Sequence, residues 1–208
     1  MRLLLVRHGR PDEGHPLHAK DPPLRADGRA QAEAVAALLA PEDVTHVVSS
    51  PLRRARETAE PLAARLKLPV QVIDGWAEAD RHLDRYRSTE ALRGQGPAEW
   101  VRFLADPVGY MGADPERFRA DVLGALAQTM ALQGQGGASA RVAVFTHGLP
   151  INLVLSHALG LPRLTHFPPH YGSLTRLHGR SPDALNVVSV NETAQRWLAP
   201  AAPAPITA

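Results

Sequence analysis

The sequence predicts an α/β fold, a three-layer α/β/α sandwich around a mostly parallel central sheet, with a helical and loop cap inserted in it. Three observations lead there. Short apolar runs such as Leu3–Val6 and Val142–Phe145 are unbroken by polar residues, as strands buried on both faces require. Stretches with helical periodicity alternate with these runs. Proline and glycine fall between the two kinds of segment, as at Pro41, Pro51 and Gly160.

In chain order, the first strand, Leu3–Val6, stops at a polar turn containing Gly9. After a loop rich in proline and charge, Pro11 to Pro23, Asp27-Gly28 precedes a helix over about Arg29–Leu39 that ends at Pro41. A second strand is expected at His46–Ser49. Pro51 then opens a helix to about Leu66, in a first turn where its missing N–H is not needed. Val70–Ile73 reads as a third, short strand. From Asp74 to about Gly112 the periodicity weakens and Arg, Asp and Gly accumulate, which marks an excursion from the core with a helical piece near Glu99–Leu104. Pro115–Leu132 is a long helix, followed by a flexible Gly134–Gly137 segment. Arg141–Phe145 is a buried strand and Leu149–Leu159 a helix ended by Gly160. Ser173–Leu177 and Leu185–Val190 form a late strand pair with its turn around Gly179 to Asp183. The expected organisation is a single domain over 1–199, a cap at about 76–114, and a flexible tail at 200–208.

Composition narrows the chemistry. The 208 residues include no cysteine, so disulfides, thiolate metal sites and cysteine nucleophiles are excluded. A balance of 23 basic against 21 acidic residues argues against a nucleic-acid binder. The pI of about 9.4 carries little more, because nearly all the bases are arginines, which do not titrate, and only Lys20 and Lys67 are lysines. No stretch approaches the ~20 apolar residues of a membrane span, and the run Met1–Val6 is too short for a signal sequence. A cytoplasmic protein without a membrane partner is the expectation. The ten histidines show no His-Glu-x-x-His helix and no metal-ligand spacing, so no metal and no cofactor are expected.

Three strand ends carry the candidate site. Leu4-Leu5-Val6 leads into Arg7-His8-Gly9, and Val142–Phe145 into Thr146-His147-Gly148; ligands of parallel sheets gather at such carboxyl ends. The third, Val47–Ser50, runs into Pro51-Leu52-Arg53-Arg54-Ala55-Arg56. Arginines at a helix start oppose the positive end of its dipole unless an anion binds there, so the three ends together suggest one phosphate pocket.

These blocks are similar to those of the histidine phosphatase superfamily, the phosphoglycerate mutase-like proteins. The resemblance is carried by Leu4–Gly9 (LLVRHG), Leu24–Ala32 (LRADGRAQA), Ser49–Ala59 (SSPLRRARETA) and Phe145–Asn152 (FTHGLPIN), in the family's order over roughly residues 2–190. It implies a metal-independent phosphatase that hydrolyses a small phosphate monoester. His8 becomes the nucleophile forming a phosphohistidine, and Arg7, Arg54 and His147, with Gly148, bind the phosphate. Arg53 is the exposed neighbour of Arg54. The acid that serves the leaving group lies after the third strand; Trp76-Ala77-Glu78-Ala79-Asp80 occupies that place, with Glu78 the choice and Asp80 the reserve.

The chain also departs from the family. The small hydroxyl residue and the asparagine that often follow the Arg-His-Gly block are replaced by Pro11 and Gly14, and the glycine and tryptophan usual after the acid are missing. Arg81, His82, Arg85 and Arg87 are expected as a solvated basic loop. A phosphoglycerate mutase-type phosphotransferase and a non-catalytic phosphate- or phosphoprotein-binding module remain as alternatives, and a homodimer is left open. A small phosphorylated metabolite is the expected partner; its identity is not legible in the sequence.

Overall fold

The computed structural model describes residues 1–132 and 140–193; the Gly134–Gly137 segment and the 200–208 tail expected to be flexible lie outside the described residues. Six strands form one sheet in the order β3-β2-β4-β1-β5-β6: β1 (Arg2–Arg7), β2 (His46–Ser49), β3 (Val70–Val72), β4 (Arg141–Thr146), β5 (Ser173–Gly179) and β6 (Leu185–Thr193). The first four are mutually parallel; β5 runs antiparallel beside β1, and β6 pairs antiparallel with β5 at the sheet edge.

Side chains alternate across β1. Leu4 and Val6 join Val47, Ala143 and Phe145 under α1 (Ala26–Leu39) and α2 (Arg53–Leu66), which contribute Val35, Leu39, Ala59 and Leu62. Leu3 and Leu5 face the other layer, with Val142 and Val144. That layer is built from α6 (Pro115–Ala131) and α7 (Gly148–Leu159), reached by way of three short helices, α3 (Thr89–Gly94), α4 (Pro97–Ala105) and α5 (Pro107–Tyr110). A strand buried on both faces has no polar face to alternate, which is why these runs read as continuous apolar segments. Helices α3, α5 and α6 carry their own start signals: Ser88, Asp106 and Asp114 each accept a backbone N–H of the first turn they precede. Among the described residues no helix is long and apolar enough to cross a membrane.

Two helix starts differ from the sequence expectation. Helix α2 begins at Arg53, two residues after Pro51, because Ser50 and Leu52 still serve the turn out of β2: Ser50 N–H donates to Phe145 O at 2.9 Å and Leu52 N–H to Ser50 Oγ at 3.2 Å. Leu52 has no side-chain acceptor to offer as N-cap. The carboxylate of Asp21 takes its place from the long loop, accepting from Arg53 N–H at 3.0 and 2.9 Å. The first backbone N–H of the helix is thus met by a carboxylate from elsewhere in the chain. Helix α1 begins at Ala26, earlier than Arg29, so Gly28 is helical. The backbone of Arg10 lies where a Cβ on Gly28 would stand, and the carbonyl of Gly28 lies where one on Gly9 would stand. This glycine-to-glycine approach seats the α1 start on the turn after β1. The last strand also outruns its expected end, continuing past Val190 through Asn191, which adopts φ 60°.

The same substitution is expected to act with opposite signs at two helical glycines. Gly28→Ala should destabilise by about 1–3 kcal/mol through overpacking against backbone, whereas Gly124→Ala in α6, with no atom near its Cβ direction, should stabilise by roughly 0.5–1 kcal/mol. Equilibrium urea unfolding of the two variants checks both.

Candidate active site

Strand register brings the candidate residues together. β1 and β4 are parallel with Arg7 opposite Thr146, so the next residues along, His8 and His147, emerge side by side with ring centroids 5.0 Å apart. β2 lies on the far side of β4 with Ser49 opposite Phe145, which sets Ser50 beside His147. Arg54 comes from the first turn of α2, and Glu78 and Asp80 from the segment after β3. All of Arg7, His8, Arg54, Glu78, Asp80 and His147 are buried.

His8 is oriented by its own backbone. Its Nδ1 lies 2.8 Å from Gly9 O, and since a carbonyl only accepts, Nδ1 carries the proton and Nε2 keeps its lone pair. The turn holding it is pinned by Thr58, whose Oγ1 accepts from Gly9 N–H at 2.9 Å and donates to Arg54 O at 2.6 Å. Burial, then the charges of Arg54 and Arg7, push the His8 pKa well below its ordinary value, so the ring is neutral near pH 7. Burial and the same arginines, together with His8, act likewise on His147. Ser50 Oγ accepts the Leu52 N–H at 3.2 Å and lies 2.7 Å from His147 Nε2.

The arginines are held without exhausting their donors. Arg54 Nη2 donates to Asp80 Oδ1 and Oδ2 at 2.9 and 3.1 Å, and its guanidinium stands 4.5 Å from the centre of the Tyr86 ring. Arg7 Nη1 donates to Pro169 O at 2.6 Å, and its guanidinium stands 4.0 Å from the Tyr171 ring centre. Among the described residues, Arg7 Nε and Arg54 Nε and Nη1 are buried donors that no acceptor meets, and His147 Nδ1 is a buried ring nitrogen without a partner. Orphaned buried N–H groups are costly, and three of them on two arginines, with the free ring nitrogen of His147 beside them, can form a cradle for an oxyanion. The fit is to phosphate-like tetrahedral anions; among the described residues no group of three or more His, Asp or Glu could hold a metal ion.

Glu78 and Asp80, alternatives in the sequence, have separate surroundings. Asp80 is committed to Arg54. Glu78 makes no ion pair among the described residues; its Oε1 accepts from Ala79 N–H at 3.0 Å and its Oε2 from Leu149 N–H, at the start of α7, at 3.1 Å. Burial, then the Asp80 charge, raise its pKa to about 7 against those two hydrogen bonds and the Arg54 charge. A carboxyl that titrates near neutrality both gives and takes a proton readily. Gly148 lies beside Glu78 Oε2.

Several contributors were beyond sequence reasoning. Tyr86 and Tyr171 face the two arginines, with hydroxyls 3.3 Å apart. Glu90 accepts from Tyr171 at 3.0 Å and lies 3.6 Å from Arg7 Nη1, and Asp21 lies 3.6 Å from Arg54 Nη1. Only Ser50 carried a signal, as part of the Ser49–Ala59 block. Arg53 is turned away, paired with Glu57 at 2.6 Å. Arg81 and His82, and Arg85 and Arg87, border two other clefts, as a solvated loop would.

The family model of the histidine phosphatase superfamily (branch 1) matches residues 3–193, and the chain belongs to that superfamily. A probable phosphoglycerate mutase of Proteus mirabilis is 30% identical over 169 residues, covering 78% of this chain and 76% of that protein. An uncharacterized Mycobacterium tuberculosis protein is 56% identical over 48 residues, a match spanning 23% of this chain and only 24% of that protein. Among solved structures, mycobacterial glucosyl-3-phosphoglycerate phosphatase superposes with a TM-score of 0.73 at 24% identity, covering 92% of this chain and 99% of that one, which shows a common fold. Phosphoserine phosphatase from Entamoeba histolytica, in complex with 3-phosphoglyceric acid, does so with a TM-score of 0.66 at 25% identity, covering 92% and 97%.

Because the Asp80 charge raises the Glu78 pKa, removing it should act in the opposite direction. In Asp80→Asn the Glu78 carboxyl is expected to titrate below its wild-type value of about 7, followed by the side-chain ¹³C shift of labelled glutamate across pH.

Proposed function

We propose that this member of the histidine phosphatase superfamily hydrolyses a small phosphate monoester through a phosphohistidine on His8. The observation that carries the reading is the set of three unmet guanidinium donors, on Arg7 and Arg54, with the unpartnered Nδ1 of His147, around an imidazole whose Nε2 is unprotonated. In the first step the Nε2 lone pair attacks phosphorus and the bond to the ester oxygen breaks. Glu78, in its acid form, gives its proton to the departing alkoxide. The clamp donors hold the equatorial oxygens, where charge accumulates in the transition state. In the second step the Glu78 carboxylate takes a proton from water. The oxygen attacks phosphorus, the P–N bond breaks, and the electron pair returns to Nε2. Asp80 positions Arg54 and keeps Glu78 near neutrality.

A mutase-type phosphotransfer is the second reading, favoured by the 30% identity to the Proteus mirabilis protein. In that case the phosphoryl group on His8 passes to a sugar acid and not to water. Release of inorganic phosphate in excess of isomer product distinguishes the two.

His8→Ala should abolish turnover of every ester the wild type hydrolyses, and brief acid-free quenching of the wild type should trap an acid-labile, base-stable phosphoprotein that the variant lacks. Unchanged turnover by the variant defeats the covalent mechanism, and a wild type inert toward all esters favours a binding module.

Glu78→Gln tests the acid. Its kcat/KM is expected to fall about 10²–10⁴-fold for alkyl esters, whose leaving groups need a proton, and much less for p-nitrophenyl phosphate, whose leaving group does not. The alkaline limb of the wild-type profile, placed by a Glu78 pKa of about 7, should disappear in the variant. Equal losses on both esters would remove Glu78 from the acid role.

A further inference from the structure

We infer that the alcohol side of the substrate is an aryl or arylalkyl group, selected by an apolar cavity between the cap and α7. The inference rests on the phosphatase reading for its orientation. An acid that protonates the ester oxygen must touch the start of the leaving group. Glu78 borders two cavities, and only one of them is also bordered by Arg7, of the phosphate clamp. The leaving group of an ester held by the clamp therefore extends into that one.

The cavity holds about 290 Å³. A cavity of roughly 150 Å³ suffices for benzene, so there is space for about two rings. Its walls come from three places: Trp100, Phe103 and Leu104 on α4, Leu149 on α7, and Leu164 and Phe167 on the loop before β5. Trp100 and Phe103 stack with centroids 5.3 Å apart. Asn152, the amide in the wall, is already spent on structure: its Nδ2 donates to Gly148 O at 3.0 Å and Phe167 O at 2.6 Å, and its Oδ1 accepts from Phe167 N–H at 3.1 Å.

The charges of the lining weigh against the obvious alternative. A phosphorylated sugar acid would bring a carboxylate into a space already bordered by Glu78 and Glu90. Apart from Arg7, the lining contains one arginine and no lysine; that arginine, Arg93, lies over the Trp100 ring at 4.5 Å. Four other basic residues of the cap, Arg81, His82, Arg85 and Arg87, border other clefts. The cavity thus offers apolar surface and aromatic faces, with two carboxylates, Glu78 and Glu90, at its border and Thr89, Arg93, Thr165 and His170 as further polar lining.

The test compares esters of primary alcohols, so that leaving-group acidity stays similar. For the full chain, kcat/KM for 2-phenylethyl phosphate and 2-(1-naphthyl)ethyl phosphate should exceed that for glycerol 3-phosphate and 3-phosphoglycerate by about tenfold or more. Phe103→Ala should narrow that ratio. Leu104→Arg, at a partly exposed position that tolerates a polar head, should narrow it too, by favouring 3-phosphoglycerate. Binding separates this inference from the phosphatase reading. By calorimetry, 2-phenylethylphosphonate should bind at least about tenfold more tightly than methylphosphonate, with the advantage lost in either variant. Selective binding without hydrolysis of any ester upholds the cavity and defeats the phosphatase reading. Equal affinity for the two phosphonates, or hydrolysis that does not favour the arylalkyl esters, overturns the cavity's role.

Discussion

Arg54 is almost wholly buried, 1% exposed, and so is the Asp80 that pairs with it, at 4%. A guanidinium placed so deep is sustained only by an opposing charge with good geometry, and the two contacts from Nη2 to the carboxylate supply it. The arrangement reaches further than the pair. The Arg54 charge helps keep His8 and His147 neutral, while the Asp80 charge helps lift Glu78 to about 7. A nucleophile needs a lone pair and an acid needs a proton at the same pH. One buried ion pair pushes an imidazole pKa down and a carboxyl pKa up, and so favours both conditions together.

The frame that holds this pair is the parallel register of β2, β4 and β1. A slip of one residue would turn the sheet's apolar side chains to the wrong layers, so the register that buries Leu4 and Phe145 on one face and Leu3 and Val144 on the other also fixes His8 beside His147. Local contacts then refine what the register sets. Thr58 ties the Gly9 turn to the α2 backbone, and the Gly9–Gly28 approach sets α1 against the same turn. Asn191 accepts from His170 N–H and donates to Pro168 O, steadying the loop whose Pro169 carbonyl receives Arg7.

What was legible in the sequence follows from range. Leu3–Val6 and Val142–Phe145 announce buried strands because burial on both faces leaves an uninterrupted apolar run, and Arg7, His8, Arg54 and His147 sit within a few residues of such runs or of the helix after one. Glu78 and Asp80 are two positions apart with the same functional group, and no local pattern separates them; the separation comes from Leu149 and Arg54, far along the chain. Tyr86, Glu90 and Tyr171 belong to the cap and to the segment before β5. Their place beside the arginines depends on packing between residues far apart in the chain, as between Arg7 and the segment of Pro169, 162 residues on, and Tyr171. The start of α2 misleads for the same reason, since its N-cap acceptor, Asp21, is 32 residues upstream.

The tyrosines bear on the departures after the Arg-His-Gly block, where Pro11 and Gly14 offer no side-chain donor or acceptor. An acceptor placed beside an arginine orients it but uses N–H groups in doing so. An aromatic face orients it differently: the ring attracts the flat face of the guanidinium and leaves its edge, where the N–H donors lie, available. Burial raises the pKa of both Tyr86 and Tyr171, so the rings remain neutral and the attraction does not become an ion pair. Arg7 over Tyr171 and Arg54 over Tyr86 are thus each fixed in direction with Nε still unmet. In the proposed mechanism these ring contacts leave donors for an oxyanion where the loop after β1 supplies no hydroxyl.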